Sequence, residues 1–230
     1  MPANLRHTSA ATFLLRDWIE PELHYLNMFV RPGDVFIDVG ANIGLFTLKA
    51  AKVASKVISV EPGSEAGSQL KANVALNGYS NVTIVPKALA DKAGSATLHH
   101  VPLGDDPQAF SLLSGDTAEA GETVETTTLD LLVKDLGLAR VDVVKMDVEG
   151  AEELVIAGAQ ETLTRDHPTV IFEANCPTLL ERGGRNDGAW NGLAAQGYRF
   201  YRLADGRLES LSTMPKEFGN IIARHPSREV

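Results

Sequence analysis

One cysteine, Cys176, in 230 residues excludes an intramolecular disulfide and suits a reducing compartment. No apolar run approaches the ~20 residues that a membrane helix needs. The opening Met1-Pro-Ala-Asn-Leu-Arg also lacks the long apolar core of a secretory signal. A cytoplasmic protein without a membrane partner is expected. Basic residues are scarce, with 21 Lys and Arg against 30 Asp and Glu and a net charge of −9. Wrapping nucleic acid needs the opposite balance, because phosphates must be neutralised, so no nucleic-acid partner is expected. Heptads, internal repeats and low-complexity tracts are lacking too. What is there, 44% apolar residues with 20 Gly and 11 Pro spread along the chain, is the composition of one well-buried unit.

Residues 12–30 carry apolar side chains at helical spacing (Phe13, Leu14, Trp18, Leu23, Leu26, Met28, Phe29), interrupted by Pro21. They predict two short helices within an N-terminal helical segment, 1–33. The turn Arg31-Pro-Gly-Asp34 leads into a domain spanning 34–226. Val35–Val39 is apolar apart from Asp38, as expected of a strand covered on both faces in a parallel sheet. A helix over 43–54, a strand over 56–60, a helix over 65–76 and a strand over 82–85 complete a βαβαβ run. The alternation then breaks. Strand-like pieces at 95–101 and 124–128 flank a polar stretch rich in Gly, Asp, Ser and Pro. It reads as an antiparallel excursion with a long loop at 104–121, a candidate lid. Winding resumes with a helix over 129–138, a strand over 141–145, a helix over 151–163 and a strand over 169–173. A helix over 189–196 and strands over 198–203 and 220–223 end the pattern. The expected fold is α/β: a doubly wound, mostly parallel sheet of about seven strands, with the antiparallel excursion between its third and fourth strands.

In such sheets ligands bind beyond the carboxyl ends of the strands, where strand order reverses. The predicted ends carry Asp38-Val-Gly40-Ala-Asn42-Ile-Gly44, Glu61-Pro62, Lys87-Ala88, Asp147-Val-Glu149-Gly150 and Glu173-Ala-Asn175. The first is a glycine turn that lets backbone approach a ligand, and Glu61 stands where a carboxylate accepts both hydroxyls of a ribose. Taken alone, such a turn reads equally well as plain strand-to-helix geometry. Carboxylates at four of the five ends disfavour a phosphate-bearing ligand and favour a cationic or neutral one. Asn42 also holds the position where a G-x-G-x-x-G fingerprint places its middle glycine against a pyrophosphate. Both points favour S-adenosylmethionine, a sulfonium without phosphate, over a nicotinamide dinucleotide.

Farther along, Lys145-Met-Asp-Val-Glu-Gly-Ala-Glu152, with Asp38-Val-Gly-Ala-Asn-Ile-Gly44 upstream, resembles the FkbM-type family of S-adenosylmethionine-dependent methyltransferases. The resemblance runs from about Glu20 to Ala223 and takes in Pro32-Gly-Asp34, Thr128-Leu-Asp130 and residues 168–173. It implies a class I, Rossmann-like fold of seven strands. It further implies methyl transfer to a substrate oxygen, commonly a hydroxyl on a sugar, polyketide or other small metabolite. Roles follow from the same resemblance. Asp38, Gly40, Asn42 and Gly44 would line the methionine and ribose of the cofactor, and Glu61 with Pro62 would meet the ribose hydroxyls. Lys87 and Ala88 would border the adenine, Asp147 would stand beside the cofactor, and Glu20 would close over it.

Methyl transfer from an activated sulfonium needs in-line alignment and removal of a proton from a weakly nucleophilic alcohol. Topology places Asp147, Glu149 and Glu173 best for this, with Asp147 or Glu173 foremost as base or orienting group. His99 and His100 lie in the excursion and face opposite ways on a strand, which leaves His100 as a candidate, although an exposed edge accounts for the pair more simply. The three carboxylates offer oxygen ligands to a divalent ion, but carboxylates at strand ends are common without one, and no metal is assigned. His167 reads as a turn residue, Trp18 and Trp190 as packing anchors, Cys176 as an inert thiol and Ser111 as a polar loop serine. A small-molecule acceptor is the expected partner, and a homodimer is left open. The rivals are N-methylation with the same cofactor, a nicotinamide-dependent oxidoreductase and a non-catalytic cofactor-binding protein.

Overall fold

A computed structural model describes residues 20–100, 110–111, 121–174 and 187–228. In chain order its elements begin with Pro21–His24 (α1), Val35–Val39 (β1), Leu45–Ala50 (α2), Lys56–Val60 (β2), Ser64–Asn77 (α3) and Val82–Val85 (β3). Short strands follow at Ala88–Leu89 (β4), Gly94–His100 (β5), Phe110–Ser111 (β6) and Glu122–Thr127 (β7). Then come Leu129–Asp135 (α4), Val143–Met146 (β8), Glu152–Ala157 (α5), Gln160–Asp166 (α6) and Thr169–Ala174 (β9). Gly188–Ala195 (α7), Arg199–Ala204 (β10), Arg207–Leu211 (β11) and Gly219–Arg224 (β12) complete the fold.

The main sheet runs β11-β10-β12-β9-β8-β1-β2-β3. β3, β2, β1, β8 and β9 are parallel, whereas β12, β10 and β11 pair antiparallel in turn. Strand order reverses between β1 and β8, which fixes where a ligand site belongs. Side-chain alternation along β1 feeds two cores. Phe36 packs with Phe46, Val57, Val143 and Ile171 on the α2 side, and Ile37 and Val39 pack with Leu129, Val144, Val155 and Leu193 on the other. Asp38 therefore falls on the Phe36 face. No helix of the described residues is long and apolar enough to cross a membrane.

All seven expected strands of this sheet form, and β11 adds an eighth. Asp205 and Gly206 both take left-handed backbone (φ 48 and 72), the two-residue hairpin geometry that Asp-Gly favours, and this folds β11 back on β10. The helix expected over 151–163 divides into α5 and α6 at Gly158, where a Cβ would collide with the carbonyl oxygen of Ala90. Asp130 from α4 then supplies the acceptors that begin α6, taking the N–H groups of Glu161 (3.0 Å) and Thr162 (2.8 Å). The excursion is a second sheet, β4-β7-β5-β6, antiparallel at β5–β7 and β5–β6. Of the two N-terminal helices expected, the described part contains α1, with Pro21 at its first position, and a 3₁₀ turn at Leu26–Met28. Trp18, most of the 104–121 loop, Asn175, Cys176 and the side chains of His100 and Ser111 lie outside the described residues.

Candidate active site

The turn after β1 is stitched between its neighbours. Gly40 and Ala41 donate to the Val60 carbonyl at the end of β2, and Asp147 after β8 donates to Val39 at 3.0 Å. Gly40, Asn42 and Gly44 alternate in left-handed backbone (φ 74, 50 and 97). A Cβ at Gly40 would collide with the Asp147 carbonyl oxygen, so glycine is what lets the ends of β1 and β8 touch. Asn42 donates its N–H to Oε2 of Glu61 at 2.8 Å, and Gly63 donates to Oε1 at 2.7 Å. Glu61 is thereby held in one pose with lone pairs still available. Burial raises its pKa against the pull of these two N–H groups.

A cleft opens over this junction. Its walls are Val39, Gly40 and Asn42 from the β1 turn, Glu61 and Pro62 after β2, Lys87, Ala88 and Leu89 around β4, Leu98 from β5, and Asp147, Val148 and Glu149 after β8. Of the residues expected at the site, Gly40, Asn42, Glu61, Pro62, Lys87, Ala88, Asp147 and Glu149 thus line one cavity. Glu149 takes φ 52, which a non-glycine residue seldom adopts, and Gly150 follows at φ 97.

Other expected residues stand off the wall. Asp38 is buried, its Oδ2 accepting from Thr47 Oγ1 at 2.6 Å, and Thr47 in turn meets Ser59 Oγ at 2.8 Å. Asp38 Oδ1 has no hydrogen-bond partner among the described residues. Gly44 packs against Leu70. Glu20 and Glu22 share the side-chain amide of Asn220, at 3.3 and 3.1 Å, and burial raises both carboxyls. Glu173 on β9 lies opposite Asn220 in the sheet register. Burial raises its pKa well above the usual carboxylate range, and Asp147, Glu149 and Glu152 push the same way while Lys145 opposes. His100 closes β5 and pairs with Phe110.

Lys145 and Glu152, the two ends of the Lys145–Glu152 segment, are buried ionisable residues to which no sequence expectation gave a role. Lys145 places Nζ 3.1 Å from Asp147 Oδ2 and 4.7 Å from the centre of the Phe46 ring. Burial lowers its proton affinity, but Asp147, Asp38 and Glu20 outweigh that and keep it charged. Glu152 accepts the Val148 N–H at 3.1 Å, and burial pushes its pKa up to about 7. A lysine in an otherwise apolar strand is a signal that could have found the first, since Lys is almost never buried unpaired. Among the described residues, no group of three or more His, Cys, Asp and Glu is arranged to hold a metal ion.

This set of acceptors fits a cationic, phosphate-free nucleoside. Glu61, Asp147 and Glu149 face the cleft, Lys87 is engaged by Glu125 at 2.9 Å, and Asn42 Oδ1 is a buried acceptor without a partner on the wall. An open sheet in this order, with its cleft at the β1–β8 switch, defines the class I, Rossmann-like methyltransferases. A structure described as methyltransferase FkbM from Methylobacillus flagellatus KT shares the fold, with TM-score 0.53, 15% identity, and coverage of 95% of this chain and 54% of that one. The methyltransferase FkbM domain profile matches residues 38–200, and the chain belongs to this family of enzymes. It is 31% identical to the 31-O-demethyl-FK506 methyltransferase FkbM of Streptomyces tacrolimicus, over 69% of this chain and 73% of that protein. It is also 26% identical to the 2-O-methyltransferase NoeI of Sinorhizobium fredii (strain NBRC 101917 / NGR234), over 61% of this chain and 63% of that one. The methyltransferase fold implies use of S-adenosylmethionine.

Proposed function

We propose that this enzyme methylates a hydroxyl oxygen of a small molecule. The observation that carries the reading is the acid-lined cleft at the strand switch, where the Asn42 and Gly63 N–H groups hold the Glu61 carboxylate in a pose that would suit ribose hydroxyls. The names of the two relatives, one a 31-O-demethyl-FK506 methyltransferase and the other a 2-O-methyltransferase, support oxygen as the acceptor atom.

S-adenosylmethionine supplies the activated methyl group when bound. Glu61 takes the ribose hydroxyls and fixes the ligand along the β1 turn. Gly40 brings bare backbone to its side, and Ala88, Leu89 and Leu98 form an apolar wall for the adenine. Asp147 and Glu149 set negative charge where a sulfonium and an amino group belong. Glu173 is the group suited to take the proton that the acceptor hydroxyl loses, because its surroundings raise its affinity for a proton. Glu173 would ionise more readily with a cation held in the acid-lined cleft, and so would become a competent base in the loaded enzyme.

A panel of hydroxyl-bearing sugars and polyketides, assayed for S-adenosylhomocysteine release with NMR of the product, tests the reaction. An O–CH₃ product is expected, and a methyl group on nitrogen would overturn it.

A further inference from the structure

We propose that Lys145 is the positioning residue of the methyl-transfer site. Resting on the methyltransferase reading above, the proposal is that this ammonium, sealed beneath the cleft, holds the Asp147 carboxylate in one orientation toward cofactor and acceptor. The Lys145 side chain is only 4% exposed, whereas that of Asp147 is 35% exposed and lines the cleft. One carboxylate oxygen, Oδ2, is therefore gripped from below while the group stays open to a ligand above.

Burying an ammonium costs several kcal/mol, and an apolar side chain of similar volume is the usual stabilising choice at such a position. The neighbouring residues of β8, Val143, Val144 and Met146, are indeed apolar and buried. The charge at 145 thus points to a role other than packing. The Phe46 ring, 4.7 Å from Nζ, limits where the ammonium can sit. Lys145 stands directly across from Asp38 in the β1–β8 register. The acidic groups facing it come from four places: Asp147 after β8, Asp38 on β1, Glu20 before α1 and Glu173 on β9. Without the ammonium, Asp147 would be left among like charges at the end of its strand and would turn away from them.

A double-mutant cycle with Lys145→Met and Asp147→Asn tests this, read as kcat, KM and calorimetric affinity for S-adenosylhomocysteine. Lys145→Met is expected to lower kcat roughly 100-fold, the cost of about an ångström of misplacement. In the Asp147→Asn background the same change is expected to lower kcat less than about threefold, because the interaction is already gone. Losses that multiply would overturn the proposal, since Lys145 would then act independently of Asp147. If Lys145→Met does not fold, Lys145→Arg keeps the charge but not the single-point contact, and a kcat at least about tenfold lower is expected. Wild-type kcat in that variant would overturn the proposal equally. Failure of the wild type to bind S-adenosylhomocysteine would instead remove the methyltransferase reading itself.

Discussion

Glu173, half-buried, and Glu152, fully buried, are carboxyls that favour the protonated form for different ends. Glu173 has its affinity raised by burial and by the acids around it, so the free enzyme holds it protonated at neutral pH. The acid limb of kcat/KM, with methyl donor as the varied substrate, is expected on the alkaline side of neutrality. The limb of kcat is expected at lower pH, because the bound sulfonium favours ionisation. Coincident limbs in a pH–rate study would count against Glu173 as the base. Glu152 instead acts on stability. Its folded-state pKa is about 7 against an ordinary 4.5, so its contribution is fully present below about pH 4.5 and is lost as pH rises toward 7. The loss amounts to about 3 kcal/mol. Glu152→Gln cannot ionise and keeps an acceptor for the Val148 N–H. Thermal melts from about pH 5 to about pH 8 are therefore expected to show the variant gaining on the wild type as pH rises. A constant difference would show that Glu152 is not the titrating group.

At the scale of elements, the ends of the parallel strands were the legible part. Gly40, Asn42, Glu61 and Asp147 could be placed in one cleft because parallel geometry delivers every strand end to the same side. Partners far apart in sequence were not legible: Asn220 meets Glu20 across 200 residues, and nothing local marks that pairing. β11 was missed although Asp205-Gly206 is a turn signal, because Arg207–Leu211 is largely exposed and carries no apolar face to declare it a strand. The Thr128-Leu-Asp130 motif proves to be local architecture. Thr128 caps α4 through the Leu131 N–H, and Asp130 starts α6 through two N–H groups and the Thr162 hydroxyl. Asp130→Ala is expected to cost about 1–2 kcal/mol in denaturant unfolding while affinity for S-adenosylhomocysteine stays within about threefold. An equal loss of binding and stability would place Asp130 in the site instead.

For the whole molecule, an eight-stranded sheet with its order reversed at β1 and β8 gathers the turn after β1, Glu61 after β2 and the Lys145–Glu152 segment around one acid-lined cleft. A chain of net charge −9 with that cleft suits a cationic methyl donor. We propose that Glu61 receives the cofactor's ribose there. Calorimetric titration of S-adenosylhomocysteine into the wild type and Glu61→Ala tests it most directly. Binding of one ligand per chain is expected for the wild type, with affinity reduced roughly 100-fold in the variant, as loss of charge-assisted hydrogen bonds would give. Equal affinity in the two proteins would contradict the account.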